Sequence, residues 1–142
     1  MNRNRPFSSV IELLRRADLR PTRQRLALGR LLFEKGDRHV TAEKLHEEAL
    51  AANIEVSLAT VYNTLHQFVA AGLLQEIVID ATRSYFDTNT QEHHHFFYER
   101  SGRVEDIPAD NVVVCGLPSP PEGMRVRRVD VIVRVDSDRD VD

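Results

Sequence analysis

The stretch Ser57-Leu58-Ala59-Thr60-Val61-Tyr62-Asn63-Thr64-Leu65 decides how this chain is read. Ser57 is a residue type that caps helix N-termini, and Val61, Leu65, Phe68 and Val69 recur at helical spacing until Gly72 stops the run. The opposite side of the first turns carries small polar groups, a phenol and an amide. Three shorter helical patterns lie upstream. Ser8 or Ser9 is placed to cap the first, with Val10, Ile11, Leu13, Leu14 and Ala17 on its apolar face. Pro21-Thr22 opens the second, which carries Leu26, Leu28, Leu31, Leu32 and Phe33 and ends at Gly36. Thr41 caps the third, with Leu45, Ala49 and Leu50, and Asn53 is a left-handed stop.

Downstream the period changes. Leu73 to Ile79 and Arg83 to Asp87 are rich in β formers, and Asp80-Ala81-Thr82 between them is short enough for a hairpin. A helical core, a fourth helix and a hairpin, in that order, predict a winged helix-turn-helix. Beyond residue 92 the chain reads as short strands. His93 to Glu99 and Arg103 to Ile107 flank Ser101-Gly102, Val112 to Val114 form another, and Val129 to Val135 alternate with four valines on one face. Gly116 to Gly123 is a stiff proline-rich loop, and Asp136 to Asp142 are expected to fray. So small a sheet has exposed edges, which a second copy would cover. The expected class is therefore α+β: a winged helix-turn-helix over residues 1–88, then a small β-rich dimerisation domain over residues 89–142.

Composition limits the functions available. With 142 residues, 42% hydrophobic and 29% charged, the chain is long enough for one domain or two small ones and too apolar for wholesale disorder. It holds no run suited to crossing a bilayer and no signal-type segment after Met1, so a cytoplasmic protein without a membrane partner is expected. Cys115 stands alone, which excludes an internal disulfide and any multi-cysteine zinc site. The net charge of −3 divides unevenly: residues 1–40 carry +6, residues 41–98 carry −6, and residues 99–142 carry −3. A basic N-terminal face on an acidic body is suited to phosphates. In that reading the fourth helix enters the major groove, with Ser57 and Thr60 among the DNA-binding residues of its first turns, Asn63 at an adenine edge and Tyr62 at a thymine methyl or a phosphate. Arg20 and Arg23, with Arg15, Arg16 and Arg25, supply phosphate charge, as does Arg83 from the hairpin. No nucleophile–base pair, phosphate loop or acid pair stands beside the histidines, which argues against an enzyme.

All six histidines precede residue 96. If His93-His94-His95 lie on a strand, His93 and His95 share a face and His94 points away with Phe96. Two imidazoles, the Asp87 carboxylate and one further nitrogen would form a site for a first-row metal. His46 and His66 fall inside helices and are read as packing residues.

Three segments carry a resemblance: Leu19 to Arg25, His39-Val40-Thr41-Ala42-Glu43, and Leu58 to Leu65 are similar, in order and spacing, to signature segments of the ferric uptake regulator superfamily. The resemblance implies a homodimeric regulator of transcription on a partly palindromic, AT-rich double-stranded DNA operator. It makes Tyr62 and Arg20 the candidates for base and minor-groove contacts, although most members have a basic residue where this chain has Asn63. It also supplies His39 as the missing nitrogen, so the inter-domain site maps onto His39, Asp87, His93 and His95 and holds one divalent zinc, manganese or iron ion per chain. The superfamily's paired cysteines fall at Tyr98 and Ser101, no histidine follows His95, and Val113 stands near an expected carboxylate.

Those departures, together with His-His-His-Phe-Phe and the proline-rich ending, resemble the iron response regulator branch. That branch implies a haem-responsive repressor of iron-consuming and haem-synthesis genes under low iron, with His93, His94 and His95 as candidate haem ligands and Phe96 and Phe97 beside the porphyrin. It also implies ferrochelatase as a partner. An N-terminal Cys-Pro haem motif is missing, so haem is expected to act on DNA binding directly. The rival reading is a regulator responding to iron, manganese or zinc itself, including a peroxide sensor that oxidises a metal-bound histidine.

Overall fold

Thr22, Thr41 and Ser57 each end an extended segment and turn a side-chain oxygen back onto a backbone N–H three residues on, of Arg25, Lys44 and Thr60. These caps set the starts of three helices in the computed structural model, which describes residues 7–137. The elements of the first half are α1 (Phe7–Arg16), α2 (Arg23–Phe33), β1 (His39–Val40), α3 (Ala42–Ala51), α4 (Leu58–Ala70), β2 (Gln75–Asp80) and β3 (Arg83–Asp87). The second half holds β4 (His93–Tyr98), β5 (Val104–Pro108), a 3-10 turn (Ala109–Asn111) and β6 (Ile132–Val135). The chain divides into two compact units, residues 1–90 and 91–142.

The first unit has one apolar core. Val10 and Leu14 of α1 meet Leu28, Leu32 and Phe33 of α2, Leu45 and Ala49 of α3, and Val61, Leu65 and Phe68 of α4. Leu74 and Phe86 bring the hairpin into the same cluster. The helices stop where left-handed residues are available: Asn53 sits at φ 61° and Gly72 at φ 81°. Strands β2 and β3 pair antiparallel, and a register shift between Val78 and Asp80 bulges the hairpin near its tip. The wing is three-stranded, in the order β1-β3-β2, because His39 and Val40 pair with Asp87 and Phe86. The sequence reading contains no β1. Two residues are too short to show a period.

The second unit is a sheet in the order β5-β4-β6, with β4 at its centre. β4 and β5 form an antiparallel hairpin, whereas β6 lies parallel to β4.

Three expectations need correction. Helix α1 already runs at Phe7, so Ser8 and Ser9 lie within the helix rather than ahead of it. Val112 to Val114 form no strand: Pro108 and the 3-10 turn end β5, no partner strand is provided among the described residues, and Val113 is 86% exposed. The last run is a strand only from Ile132, where pairing with β4 begins at His95. The predicted fraying beyond Ser137 falls outside the described residues. Among the described residues no helix is long and apolar enough to cross a membrane.

Candidate nucleic-acid interface and metal centre

Helix α4 buries Val61, Thr64, Leu65 and Phe68 and exposes Ala59, Asn63, His66 and Gln67. Of the residues read as groove-facing, Ser57 and Asn63 are exposed, whereas Thr60 is partly buried and Tyr62 packs in part against the core. Ser57 and Thr60 are coupled: the Ser57 hydroxyl accepts from Thr60 N at 3.1 Å and donates to Thr60 Oγ1 at 2.9 Å. Ser57→Ala is expected to cost about 1 kcal/mol in urea unfolding, and a loss below a few tenths would mean that water replaces the cap.

Tyr62 donates its hydroxyl to Glu43 Oε2 at 2.8 Å, and that hydrogen bond, with smaller contributions from burial and the carboxylate charge, pushes the phenol above its ordinary pKa. The phenol therefore stays neutral and remains a donor. The arginines differ among themselves. Arg20 and Arg23 are exposed at the start of α2. Arg25 is engaged, donating to Gln67 Oε1 of α4 and to the Arg20 carbonyl, so it joins α2 to α4. Arg83 is held at the wing tip by Asp80 at 2.6 Å, and the hydrogen bonds of Arg83 and Thr82 depress the Asp80 carboxyl far below its usual range. The wing tip therefore carries a paired charge.

The candidate metal ligands form one set in each unit. In the first, the β1–β3 register puts His39 opposite Asp87, and His39 Nε2 lies 3.2 Å from Asp87 Oδ2. Asp87 is 1% exposed, and its other oxygen accepts from Asn89 N at 2.9 Å, which aims the remaining one at the imidazole.

In the second unit, His93 and His95 stand on the same side of β4 with ring centroids 4.5 Å apart. Asp106 lies opposite His95 on β5, and its Oδ1 is 3.4 Å from His93 Nε2 and 3.5 Å from His95 Nε2. His93 Nδ1 lies 2.6 Å from the Gln91 carbonyl oxygen, which can only accept. Nδ1 is therefore the donor, and in the neutral ring the Nε2 lone pair faces the Asp106 carboxylate. Two lone-pair donors brought together in this way are reconciled by a proton or by a cation. Two imidazoles and a carboxylate, without thiolate, fit a borderline divalent ion such as iron, manganese or zinc.

His94 belongs to neither set: its Nδ1 accepts from Val131 N at 3.1 Å and so helps dock the segment leading into β6. His93, His94 and His95 are 7%, 5% and 2% exposed, Phe97 is fully buried, and Phe96 is partly exposed. The three-histidine run therefore does not present its rings to an external planar ligand. At Tyr98, where cysteine was noted as missing, the hydroxyl donates to Glu105 and the Arg103 guanidinium covers the ring at 4.1 Å. His46 Nε2 donates to the Val56 carbonyl at 2.9 Å, and His66 packs edge-on against Phe86, in keeping with packing roles. Asp106 is absent from the sequence-based set. Its signal was the register of the β4–β5 hairpin, which composition does not show.

Comparison with known proteins decides the family. Residues 16–126 match the profile described as the ferric uptake regulator family. The chain belongs to the ferric uptake regulator family.

Among the relatives of this family member is the peroxide-responsive repressor PerR of Staphylococcus epidermidis, 34% identical over 97 residues, covering 68% of this chain and 64% of that protein. PerR of Staphylococcus aureus strain Mu50 is also 34% identical over 97 residues, with 68% and 65% covered. The match thus spans slightly less than two thirds of these curated relatives. The ferric uptake regulator of Pseudomonas aeruginosa, solved with manganese, superposes with a TM-score of 0.68 at 24% identity over 92% of this chain and 98% of that one. That of Vibrio cholerae gives 0.70 at 23% identity over 89% and 98%. These likenesses establish the α+β ferric uptake regulator fold, with a helical N-terminal part and a β-sheet domain.

Proposed function

We propose that this chain is a metal-dependent, DNA-binding transcriptional repressor that works as a homodimer. The observation that carries the reading is the approach of Asp106 to both His93 and His95 on adjacent strands. His39, Asp87, His93 and His95 are proposed as ligands of one divalent ion per chain, iron, manganese or zinc, with Asp106 as a further carboxylate. The ion supplies a positive charge that fixes the orientation of these side chains. For the protein, Asn89 and Gln91 hold Asp87 and His93 in the orientation such a site needs. Arg20, Arg23, Ser57, Thr60, Tyr62 and Asn63 form the DNA-facing set, with Arg83 on the wing. The exposed arginines and the groove face of α4 support operator binding, and nothing among these features calls for an enzyme.

The haem-responsive reading of the iron response regulator branch is less well supported. Burial of the three consecutive histidines favours an ion over a porphyrin, and no observation adds to the expectation of ferrochelatase as a partner. A second reading, response to peroxide, is favoured by the PerR relatives together with the thiolate-free nitrogen and oxygen ligand set.

The test is fluorescence anisotropy of an AT-rich, partly palindromic duplex with metal-stripped protein and with added Mn2+, Zn2+ or anaerobic Fe2+. Metal is expected to tighten binding about tenfold or more, within the usual range of allosteric coupling, with a steep salt slope. Equal DNA binding with and without metal, accompanied by stoichiometric haem uptake and DNA release, would overturn the metal reading. Loss of DNA binding after peroxide treatment of the Fe2+ form, but not of the Mn2+ form, would establish the second.

A further inference from the structure

Arg38 occupies an unusual junction in the first unit. Its backbone is paired with Thr88: Arg38 N donates to Thr88 Oγ1 at 2.8 Å, and Thr88 N donates to the Arg38 carbonyl at 3.1 Å. Arg38 and Thr88 directly flank His39 and Asp87, so this pairing continues the ladder on which those two side chains meet. The side chain then leaves the wing. Nη1 donates to the Leu31 carbonyl in the last turn of α2 at 3.0 Å and to Glu48 Oε1 at 3.0 Å, while Nη2 donates to Glu48 Oε2 at 2.6 Å. Glu48 lies on α3, and Arg38 holds its carboxyl below the ordinary range. Both side chains are about one-fifth exposed, so solvent does not dissolve the fork.

One residue thus links the His39–Asp87 pair, the end of α2 and the middle of α3, and α3 packs on α4. A surface ion pair contributes little and tolerates shifts, but a partly buried, bidentate arginine that also binds a helix carbonyl permits few positions. A movement of His39 reaches Arg38 through one peptide bond. Because Glu48 and the Leu31 carbonyl hold the guanidinium end, such a movement pulls on α3 and on the end of α2.

We infer that Arg38 is a positioning residue which, through Glu48 and the Leu31 carbonyl, transmits the state of the His39–Asp87 pair to the DNA-reading helices. The inference rests on the metal-dependent regulator proposed above and names the device inside the first unit that would make such regulation work. Its content is a coupling between two equilibria, so coupling is what must be measured.

The experiment compares wild type, Glu48→Gln and Arg38→Lys. Gln keeps the shape of Glu48 and loses its charge, whereas Lys keeps the charge of Arg38 and loses the fork, so at least one folded variant is expected. DNA affinity is measured by anisotropy in metal-free buffer and with saturating Mn2+, and thermal melts are recorded on the metal-free proteins. The expected result is metal-free DNA affinity within about threefold of wild type, with the tightening by Mn2+ reduced at least about fivefold in both variants. A purely structural ion pair would lower the melting temperature and weaken binding equally with and without metal. An unchanged Mn2+ ratio overturns the inference while leaving the proposed function standing. A wild-type protein whose DNA affinity ignores metal overturns the proposed function, and with it this inference.

Discussion

His95→Ala is expected to lower affinity for Mn2+ or Zn2+ by at least about 100-fold and to remove metal-dependent DNA binding. Changing groups that merely orient a metal ligand costs roughly 10–100-fold, and a ligand itself carries more. His95 is nearly inaccessible, its Nε2 approaches Asp106, and its backbone N–H donates to the Val131 carbonyl, a bond that alanine keeps. The strand is therefore retained while the nitrogen is lost. Competition titration against a chelating dye gives the metal affinity, and anisotropy gives the DNA response. Melts in chelator separate the loss of the ligand from the cavity left by the ring, since a cavity destabilises the protein whether or not metal is present. A metal affinity within threefold of wild type would remove His95 from the ligand set.

Phe68→Ala is expected to destabilise the first unit by about 3–5 kcal/mol. Phe68 is fully buried in α4, and its ring centroid lies 6.0 Å from that of Phe33 on α2. The substitution removes an aromatic pair and opens a void among Leu32, Leu65 and Leu74, which are themselves fixed by neighbouring elements. Urea unfolding followed by circular dichroism reads the loss, and in a unit of this size the melting temperature should fall by roughly 12–40 °C. A change below about 1 kcal/mol would mean that the helices close over the gap. It would also show that the α2–α4 contact is not what holds the DNA-reading helix in place.

The sequence disclosed local chemistry well. Thr22, Thr41 and Ser57 as caps, Asn53 and Gly72 as left-handed stops, and the Asp80–Thr82 turn are all decided within a few residues, so a reader of the sequence finds them. The exposed face of α4 followed from the same periodicity. What depends on pairing between distant strands was not legible. β1 exists only because Asp87 and Phe86 accept it, Asp106 reaches the histidines only through the β4–β5 register, and Val112 to Val114 have β-forming side chains but no neighbour. His94 shows the same limit. A histidine between two candidate ligands reads as a third, yet its ring nitrogen is committed to the Val131 amide. The pairs Arg83–Asp80 and Arg25–Gln67 likewise turn charges that composition counts as available into charges already engaged.

The parallel placement of β6 also bears on the order in which the second unit assembles. β4 and β5 are neighbours in the chain and can zip from their turn within microseconds. β6 reaches β4 only after residues 109–131 have been looped back, at an entropic cost of about 3 kcal/mol beyond a constant. Its return is a four-residue ladder, the backbone bonds of His95 N to Val131 O and Glu99 N to Val135 O, the Val131–His94 bond and the exposed Arg134–Glu99 ion pair. The C-terminal strand is therefore the last part of the unit to dock and the first to leave, so the histidine run acquires its final cover late, after the hairpin that aligns His93, His95 and Asp106 already exists.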